Sequence, residues 1–275
     1  MTSPIPGVSP QQELQPVNSI APITKLEKAD SILEGIVARI TTAEELKFLK
    51  VLIYCRPGIG KTWFGASAPS PFIYDIDDTT VSLQKHSVYS KIPIIPYISE
   101  YQAEMVLTRT AENKLFPDKK SFVFDSSTIF QNKSLKSQLR TQLGIRDDSQ
   151  LESMLTRYLS ADQNWIANTQ YMEDIVAKLS KIKNKHVIVT AHIKKEKDNS
   201  TGVDRFFTRP DITNKAYQAF ARWANIIGFL EVIGDKRTLQ IQPSVTIDAK
   251  SHIGGPAVIE NPSFQSLLDI MERKS

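Results

Sequence analysis

Cysteine is nearly absent from this sequence, since Cys55 is the only one in 275 residues. An intramolecular disulfide is therefore excluded, and the composition is typical of a reducing compartment. The histidines and the single cysteine do not show the paired spacing that indicates a metal site. The sequence also lacks a run of about 18 apolar residues and the basic and apolar segments of a secretory signal. These absences predict a cytoplasmic protein with no membrane partner.

A strong excess of charge of one sign is also lacking. The formal net charge is +4 and the pI is about 8.9, which does not by itself indicate a nucleic-acid-binding protein. Hydrophobic residues make up 41% of the chain and charged residues 23%, which is an ordinary globular composition. The positions of the positive charges are therefore more informative than their sum.

Three regions follow one another along the chain. Residues 1–23 are rich in Pro, Ser and Gln and almost uncharged, which is typical of a flexible tail. Residues 24–44 are expected to form a helical linker, because apolar residues recur at helical spacing up to Ile40. Residues 45–275 are expected to form a single domain.

The domain alternates apolar strands with helical patterns. Strands are predicted at 50–55, 71–77, 91–97, 121–127 and 186–192, and as a pair within 226–243 that is joined by the turn GDKR. Helices are predicted from 61, at 100–116, at 127–143, at 164–182, at 214–225 and after the N-cap Ser263. This alternation predicts an α/β fold with a mainly parallel sheet covered by helices on both faces, and with antiparallel strands added at one edge.

The segment VLIYCRPGIGKTWFG, residues 51–65, has the features of a phosphate-binding loop. An apolar strand leads into a glycine-containing turn, and a Gly-Lys-Thr triplet opens a helix directly afterwards. Lys61 can pair with the β- and γ-phosphates of ATP, and Thr62 can coordinate Mg²⁺. The predicted nucleotide contacts are Cys55, Arg56, Pro57, Gly58, Ile59, Gly60, Lys61, Thr62 and Trp63.

Cys55 occupies the position where the usual motif, G-x-x-x-x-G-K-[ST], begins with glycine. This position ends a strand, where a small residue is needed but a positive φ is not expected. Two alternatives remain open. In the first, the turn binds no ligand, which leaves the Gly-Lys-Thr triplet unexplained. In the second, Cys55 is a nucleophile, although no partner residue is evident.

Acidic residues end two of the predicted strands. Asp125 follows the apolar residues FVF and can hold Mg²⁺ together with Thr62, directly or through water. Asp75, Asp77 and Asp78 follow an earlier strand, and one of them can activate the attacking water. The alternative for these three is an acidic turn that caps the next helix.

Two histidines flank the strand HVIVTAH, residues 186–192. His192 ends it, where a polar side chain can respond to the γ-phosphate, although a lone histidine has many other uses. His186 begins the strand and is expected to be structural or exposed.

The segment IKKEKDNSTGVDRFFTRP, residues 193–210, is predicted to be a polar, basic loop. Its cations can follow a phosphate backbone, and its aromatic rings can stack on unpaired bases. The alternative is a solvated hairpin whose phenylalanines pack on the core, since Glu196, Asp198 and Asp204 dilute the positive charge. The candidate DNA-binding residues are Lys194, Lys195, Lys197, Arg205, Phe206, Phe207 and Arg209.

Taken in order, these segments resemble the RecA/RadA-like P-loop ATPases of bacteriophages, of the Sak-four single-strand annealing type, which are grouped with AAA-type domains. The resemblance covers residues 45–272. It is carried by LIYCRPGIGKTWFGASAP, FIYDIDD, FVFDSS, HVIVTAHIKKEKD, TRPDITNKAYQAFARWAN and AVIENPSFQSLLDIM. The strand–histidine–basic-loop segment and the IENP stretch are more specific than the phosphate-binding loop alone.

The resemblance implies a RecA-like core that couples ATP hydrolysis to binding of single-stranded DNA in phage recombination or replication, in the host cytoplasm. It implies catalytic roles for Lys61, Asp125, Asp77 and His192. Asp77 would be the catalytic acid, with a shorter side chain than the usual glutamate. His192 would be the sensor that links the γ-phosphate to DNA.

The resemblance also implies DNA-binding loops and an oligomer. Residues 193–209 match the second DNA-binding loop, and residues 127–163, with Arg140, Arg146 and Arg157, match the region of the first. A homo-oligomer, either a ring or a filament, would complete the site with a basic residue from a neighbouring subunit. Lys250 is the candidate for this finger, and its alternative is an exposed lysine on a strand end. A single-strand-binding protein is a further candidate partner.

Three other functions remain open from the sequence. The first is a P-loop ATPase that acts on a protein partner, such as a helicase loader in phage replication. The second is a small-molecule kinase, in which residues 193–210 would form the lid. The third is a binding module whose nucleotide site is only structural, which the residues Cys55 and Asp77 favour.

Overall fold

A ten-stranded sheet organises the residues that the computed structural model describes, which are 48–145, 162–198 and 205–273. The predicted tail at 1–23 and helical linker at 24–44 lie outside these ranges, as do Arg146 and Arg157. The division of the chain into tail, linker and domain therefore stays a prediction.

The strands and helices within these ranges are numbered here in chain order. The strands are β1 (Lys50–Cys55), β2 (Pro71–Asp75), β3 (Ile94–Pro96), β4 (Ser121–Asp125), β5 (His186–Asp198), β6 (Arg205–Pro210), β7 (Ile226–Ile233), β8 (Lys236–Gln240), β9 (Lys250–Ser251) and β10 (Val258–Glu260). The helices are α1 (Lys61–Ala66), α2 (Val81–Gln84), α3 (Glu100–Ala111), α4 (Ser127–Leu143), α5 (Asp162–Ser180), α6 (Asn214–Trp223) and α7 (Phe264–Glu272). None of these helices is long and apolar enough to cross a membrane.

The strand order through the sheet is β10-β8-β7-β1-β5-β4-β2-β3. The strands from β7 to β3 all run parallel, and β8 and β10 are antiparallel additions at one edge. β9 pairs antiparallel with the start of β7, and β6 pairs antiparallel with the second half of β5. The predicted α/β fold, with a mainly parallel sheet and antiparallel strands at one edge, is therefore confirmed.

Apolar side chains of the central strands face two separate helical layers. In β1, Leu52 and Tyr54 pack in the layer that contains α3, α4, α5 and α6. Val51 and Ile53 pack in the layer that contains α1, α2 and α7. A parallel sheet covered on both faces requires such continuous apolar strands. Polar side chains that can take part in binding or catalysis are consequently concentrated at the carboxyl ends of the strands.

The segment predicted to be a polar loop is instead a β-hairpin, which was the alternative that the sequence left open. β5 continues past His192 to Asp198, and β6 pairs with it antiparallel from Ile193↔Pro210 to Asp198↔Arg205. The charged residues occupy an edge ribbon, whose stability comes from backbone pairing rather than from a continuous buried face. A prediction based on apolar alternation therefore ended the strand too early.

The antiparallel edge also differs from the prediction. The β7–β8 connection consists of only Gly234 and Asp235, so Lys236 and Arg237 belong to β8 rather than to the turn. Strand β10 was not predicted, because its three residues give too little pattern. The N-cap at Ser263 is present, and its hydroxyl accepts the Ser266 N–H in a capping box.

His186, at the start of β5, is a structural histidine. Its side chain is buried, and Nδ1 accepts a hydrogen bond of 3.0 Å from the Leu49 N–H. The ring also makes edge contacts with Phe48 and Phe264. Burial, with a smaller contribution from the charge of Lys120, lowers the pKa of His186 from 6.5 to about 4. The fold therefore requires the neutral ring, with its proton on Nε2.

We predict that His186 makes the free energy of unfolding fall as the pH decreases from about 6.5 towards about 4. In that interval the unfolded chain binds a proton at His186 that the folded chain excludes, whereas above it both states are neutral. Urea unfolding at a pH near 7.5 and a pH near 5 measures the effect.

His186→Leu should reduce the difference in stability between the two pH values, although the variant is less stable at both. The comparison variant is His252→Leu, because His252 is exposed and its pKa is lowered in the same direction, by burial and by the charge of Lys250. Since only His186 of the two has a large pKa shift, His252→Leu should reduce the pH dependence less than His186→Leu does. A pH dependence that is the same in His186→Leu and in the unaltered protein would contradict the prediction.

Candidate nucleotide-binding site

The phosphate-binding loop lies between β1 and α1. β1 ends at Cys55, and α1 begins at Lys61. Gly58 and Gly60 have φ values of 81° and 117°, in the region that favours glycine. These glycines therefore allow the tight turn in which backbone N–H groups can approach phosphate oxygens.

Cys55 fits this loop without the glycine of the usual motif. It is the last residue of β1, its φ is not positive, and its side chain is buried. Its Sγ donates a hydrogen bond of 3.1 Å to the Arg56 carbonyl. Burial raises the pKa of the Cys55 thiol to about 12, so the thiol stays protonated. This environment does not support the alternative in which Cys55 is a nucleophile.

Asp125 is the centre of the polar cluster beside the loop. Thr62 Oγ1 donates a hydrogen bond of 2.6 Å to Asp125 Oδ2, and Thr190 Oγ1 donates to Oδ1. Thr79 Oγ1 lies 3.5 Å from the same Oδ2 and 3.1 Å from Thr62 Oγ1. Asp125 is fully buried, and burial raises its pKa, while the two threonine hydrogen bonds and Lys61 act in the opposite direction.

The donor set of this cluster fits Mg²⁺. Thr62 and Asp125 offer hard oxygen atoms, and their atoms already lie within hydrogen-bonding distance of each other. Within the described ranges, no group of three or more His, Cys, Asp or Glu residues forms a metal cage of protein ligands alone. Mg²⁺ in nucleotide sites commonly needs only one or two protein ligands, because phosphate and water supply the rest.

The three aspartates after β2 have different environments. Asp75 is buried and accepts hydrogen bonds from the N–H and hydroxyl of Thr80, so it stabilises the turn before α2. Asp78 is exposed. Asp77 is half-buried, and its Oδ2 lies 3.2 Å from Nε2 of His192. Of these three aspartates, only Asp77 therefore contacts His192, which was also predicted to be catalytic.

β5 connects this cluster to the hairpin. In the register of the sheet, His192 is the partner of Cys55, so both strands reach the loop at the same level. The His192 N–H donates a hydrogen bond of 2.9 Å to Thr128 Oγ1, which fixes the strand at this point. Thr190 and His192 thus contact the two predicted acids, Asp125 and Asp77, from one strand.

The hairpin has two chemically different faces, because cross-strand partners point to the same side. Lys195 is opposite Thr208, and Lys197 is opposite Phe206, whose ring is 61% exposed. We call these four residues the basic face. By register no acidic residue lies on this side between 193 and 197 or between 206 and 210.

The opposite face is neutralised by Glu196. This carboxylate forms ion pairs with Lys194 at 2.9 Å and with Arg209 at 3.1 Å. Arg209 is buried, and its Nη2 donates to the Ile212 carbonyl and to Asn214 Oδ1. The prediction that Arg209 contacts DNA is therefore not supported, because its guanidinium holds the hairpin against α6. Phe207 is half-buried on this face, and the Arg205 side chain lies outside the described atoms.

Lys250 is not placed as a finger that reaches a neighbouring subunit. Its Nζ donates to the carbonyls of Ala221 and Ala224, at 2.6 and 2.8 Å, and so caps the end of α6. Burial lowers the pKa of the Lys250 ammonium. The residue therefore stabilises its own subunit, and the finger assignment is not supported.

Several polar residues near the site were not predicted from the sequence. Thr79 and Thr190 are ordinary threonines whose roles depend on the position of Asp125. Lys133 Nζ donates to the Ile76 carbonyl at 2.8 Å, beside Asp77. Arg237 donates to the Ile59 carbonyl within the loop. Trp63, a predicted contact, packs against the rings of His86 and Tyr89.

We predict that Thr190→Val lowers the free energy of unfolding by about 1–3 kcal/mol, because it leaves a buried oxygen of Asp125 without a donor. Urea unfolding at neutral pH measures the change. Thr238→Val is the matched control, since Thr238 is also a buried strand threonine but does not contact Asp125. Equal losses in both variants would contradict a special role for Thr190.

Comparison with known proteins identifies a family for this chain. The model of the AAA domain family matches residues 47–253. No curated protein sequence is significantly similar to the chain. The solved structures that align with it include a recombinase and a KaiC-like protein. The RadB recombinase has 12% identity and a TM-score of 0.45, and the alignment covers 77% of this chain and 86% of that chain. A KaiC-like protein from the hyperthermophilic archaeon Pyrococcus horikoshii OT3 has 14% identity and a TM-score of 0.37, with 78% and 89% covered. Because the family match extends over well over half of its length, the chain belongs to the AAA domain family of P-loop ATPases.

Proposed function

We propose that this protein hydrolyses ATP and binds single-stranded DNA as a homo-oligomer, and that it supports strand annealing or recombination of phage DNA. The observation that carries the proposal is the continuity of β5. One uninterrupted strand contacts the nucleotide cluster through Thr190 and His192 and then forms half of the basic hairpin. A change in the nucleotide site is thereby coupled directly to the DNA-binding face.

ATP would bind at residues 55–62. The loop's backbone N–H groups and the Lys61 ammonium would surround the phosphates, and Thr62 and Asp125 would hold Mg²⁺. When bound, Mg²⁺ neutralises charge that develops on the phosphate oxygens. Lys61 is largely buried, so its charge acts in an environment where water screens it little.

Asp77 would orient the attacking water. His192 Nε2 lies 3.2 Å from Asp77 Oδ2, which fixes the carboxylate and leaves Oδ1 for the water. Asp77 has a shorter side chain than glutamate, and its position after β2 is set by Lys133, which holds the Ile76 carbonyl. His192 acts here as a positioning residue and also connects the carboxylate to β5.

Single-stranded DNA would bind along the basic face. Lys195 and Lys197 are exposed, and Phe206 offers an exposed ring on the same side. Spaced cations and an aromatic platform bind the backbone and the bases of a single strand. A cavity of about 350 Å³ extends from this face to the phosphate-binding loop, lined among others by Lys195, Thr208, Arg56 and Ile59.

A protein-directed ATPase, such as a helicase loader, is the second candidate. It is favoured by exposed apolar side chains near the β3 edge, where Ile98 and Tyr101 are each 75% exposed and Met105 is 42% exposed. Such exposed apolar side chains are typical of a surface that binds another protein. In the DNA-binding proposal the same surface would contact another copy of the chain or a single-strand-binding protein.

We predict that ATP turnover rises when single-stranded DNA is added and that Lys61→Ala lowers turnover by about 100-fold or more, because the variant loses charge stabilisation of the phosphates. Phosphate release with and without an oligonucleotide measures both effects. Turnover that is indifferent to DNA would favour the protein-directed ATPase. Retained nucleotide binding without turnover would indicate a structural site.

We predict that the double variant Lys195→Glu/Lys197→Glu weakens binding to single-stranded DNA. The slope of the logarithm of affinity against the logarithm of salt concentration should decrease by about 2, since two phosphate contacts are lost. Fluorescence anisotropy of a labelled oligonucleotide at several salt concentrations measures the slope.

The matched control is Lys91→Glu/Lys114→Glu. These lysines are exposed and lie before β3 and β4, at the opposite ends of the strands from the hairpin. If both double variants reduce DNA affinity equally, binding is a general charge effect and the basic face is not the site.

A further inference from the structure

Arg237 reaches the phosphate-binding loop from the antiparallel edge of the sheet. Its Nε donates a hydrogen bond of 3.0 Å to the carbonyl oxygen of Ile59. The same nitrogen lies 3.3 Å from the place that a side chain at Gly60 would occupy, and Cζ lies 3.7 Å from it. The guanidinium therefore packs directly against the outer side of the loop.

The tight β7–β8 turn explains this reach. Because the connection is only Gly234–Asp235, Arg237 is held in register opposite Val232, two residues before Leu239. Leu239 is buried in the layer that contains α1. Residues two apart in a strand share a face, so the Arg237 side chain is directed to the side of the sheet where α1 and its preceding loop lie.

The hydrogen bond has a consequence for the next peptide group. In a trans peptide, the carbonyl of one residue and the N–H of the next point in opposite directions. The Ile59 carbonyl points outward to Arg237, so the Gly60 N–H points inward, to the concave side of the loop. The Gly60 N–H donates no hydrogen bond to any residue in the described ranges.

We propose that Arg237 is a positioning residue that clamps the Ile59–Gly60 peptide and so directs the Gly60 N–H at a phosphate of the bound nucleotide. The proposal rests on nucleotide binding at the loop, and it is independent of DNA binding. Within the described ranges Arg237 forms no ion pair, whereas its neighbour Lys236 pairs with Glu260 at 2.8 Å. The uncompensated charge of the guanidinium therefore adds to the positive potential at the loop.

The test compares Arg237→Met, which keeps a long side chain but lacks the donor, with Arg237→Lys, which keeps a donor. Lys236→Met is the matched control on the same strand. We expect the dissociation constant for a fluorescent ADP analogue with Mg²⁺ to rise on the order of tenfold in Arg237→Met. It should rise less in Arg237→Lys and stay unchanged in Lys236→Met.

A second readout reports on the peptide itself. Labelling isoleucine with ¹³C at the carbonyl and glycine with ¹⁵N selects the Ile–Gly peptide bonds by NMR, and the chain contains these at 59–60, 227–228, 233–234 and 253–254. In the nucleotide-free protein, Arg237→Met should shift the Gly60 amide signal, because the Ile59–Gly60 peptide loses the donor that holds its carbonyl. The Gly228 and Gly254 signals serve as internal controls. Added ADP should then move the Gly60 signal less than it does in the unaltered protein.

The two readouts separate the proposals. An unaltered protein that binds no nucleotide would contradict the proposed function, while the nucleotide-free Gly60 signal would still test the clamp. If Arg237→Met leaves both the Gly60 signal and the dissociation constant unchanged, Arg237 only covers the loop and the clamp is wrong. A rise in the dissociation constant with an unchanged Gly60 signal would also overturn it, because the effect would then come from charge alone.

Discussion

The buried carboxylate of Asp125 constrains the arrangement of the whole site. An isolated carboxylate in the interior is costly, so its oxygens must be satisfied by hydrogen bonds or by a cation. Thr62 from α1 and Thr190 from β5 supply direct donors, and Thr79 approaches from the turn after β2. Three separate elements must therefore meet at one side chain, which aligns the phosphate-binding loop before any ligand is present.

The same requirement explains why β5 is suited to transmit a change. Thr190 donates a hydrogen bond to Asp125, and His192 lies within hydrogen-bonding distance of Asp77. After His192 the strand continues for six residues into the hairpin. A paired strand moves as a unit, because displacement of one residue strains the neighbouring backbone hydrogen bonds. A displacement of His192 would therefore move Lys195 more directly than it would if a flexible loop connected the two residues. The continuity of the hairpin with the site gives the proposed coupling a physical route.

Local patterns predicted the parts of the molecule whose chemistry is local. The phosphate-binding loop, the strand that ends at Asp125 and the N-cap at Ser263 depend on neighbours in sequence. The environments of the cations depend on the folded chain. Lys250 looked equivalent to an exposed basic residue, but it is held by carbonyls at the end of α6 that lie 29 and 26 residues before it. Arg209 also looked exposed, but it is held by Glu196 across the hairpin and by the turn that follows β6. The sequence offered the hairpin only as an alternative to a polar loop, because its polar composition conceals the pairing that the partner strand supplies.

The two departures from the usual motif can be weighed on geometry. A glycine is needed where φ is positive, and this condition holds at Gly58 and Gly60 but not at Cys55, which is still part of β1. The substitution at Cys55 thus places a small buried side chain where the backbone imposes no glycine requirement. Asp77 is shorter than glutamate, but its carboxylate is already held by His192 at 3.2 Å. In the proposed mechanism, a fixed, shorter acid would need the phosphate and the water to come closer to β2, so turnover would depend on how precisely the loop is held.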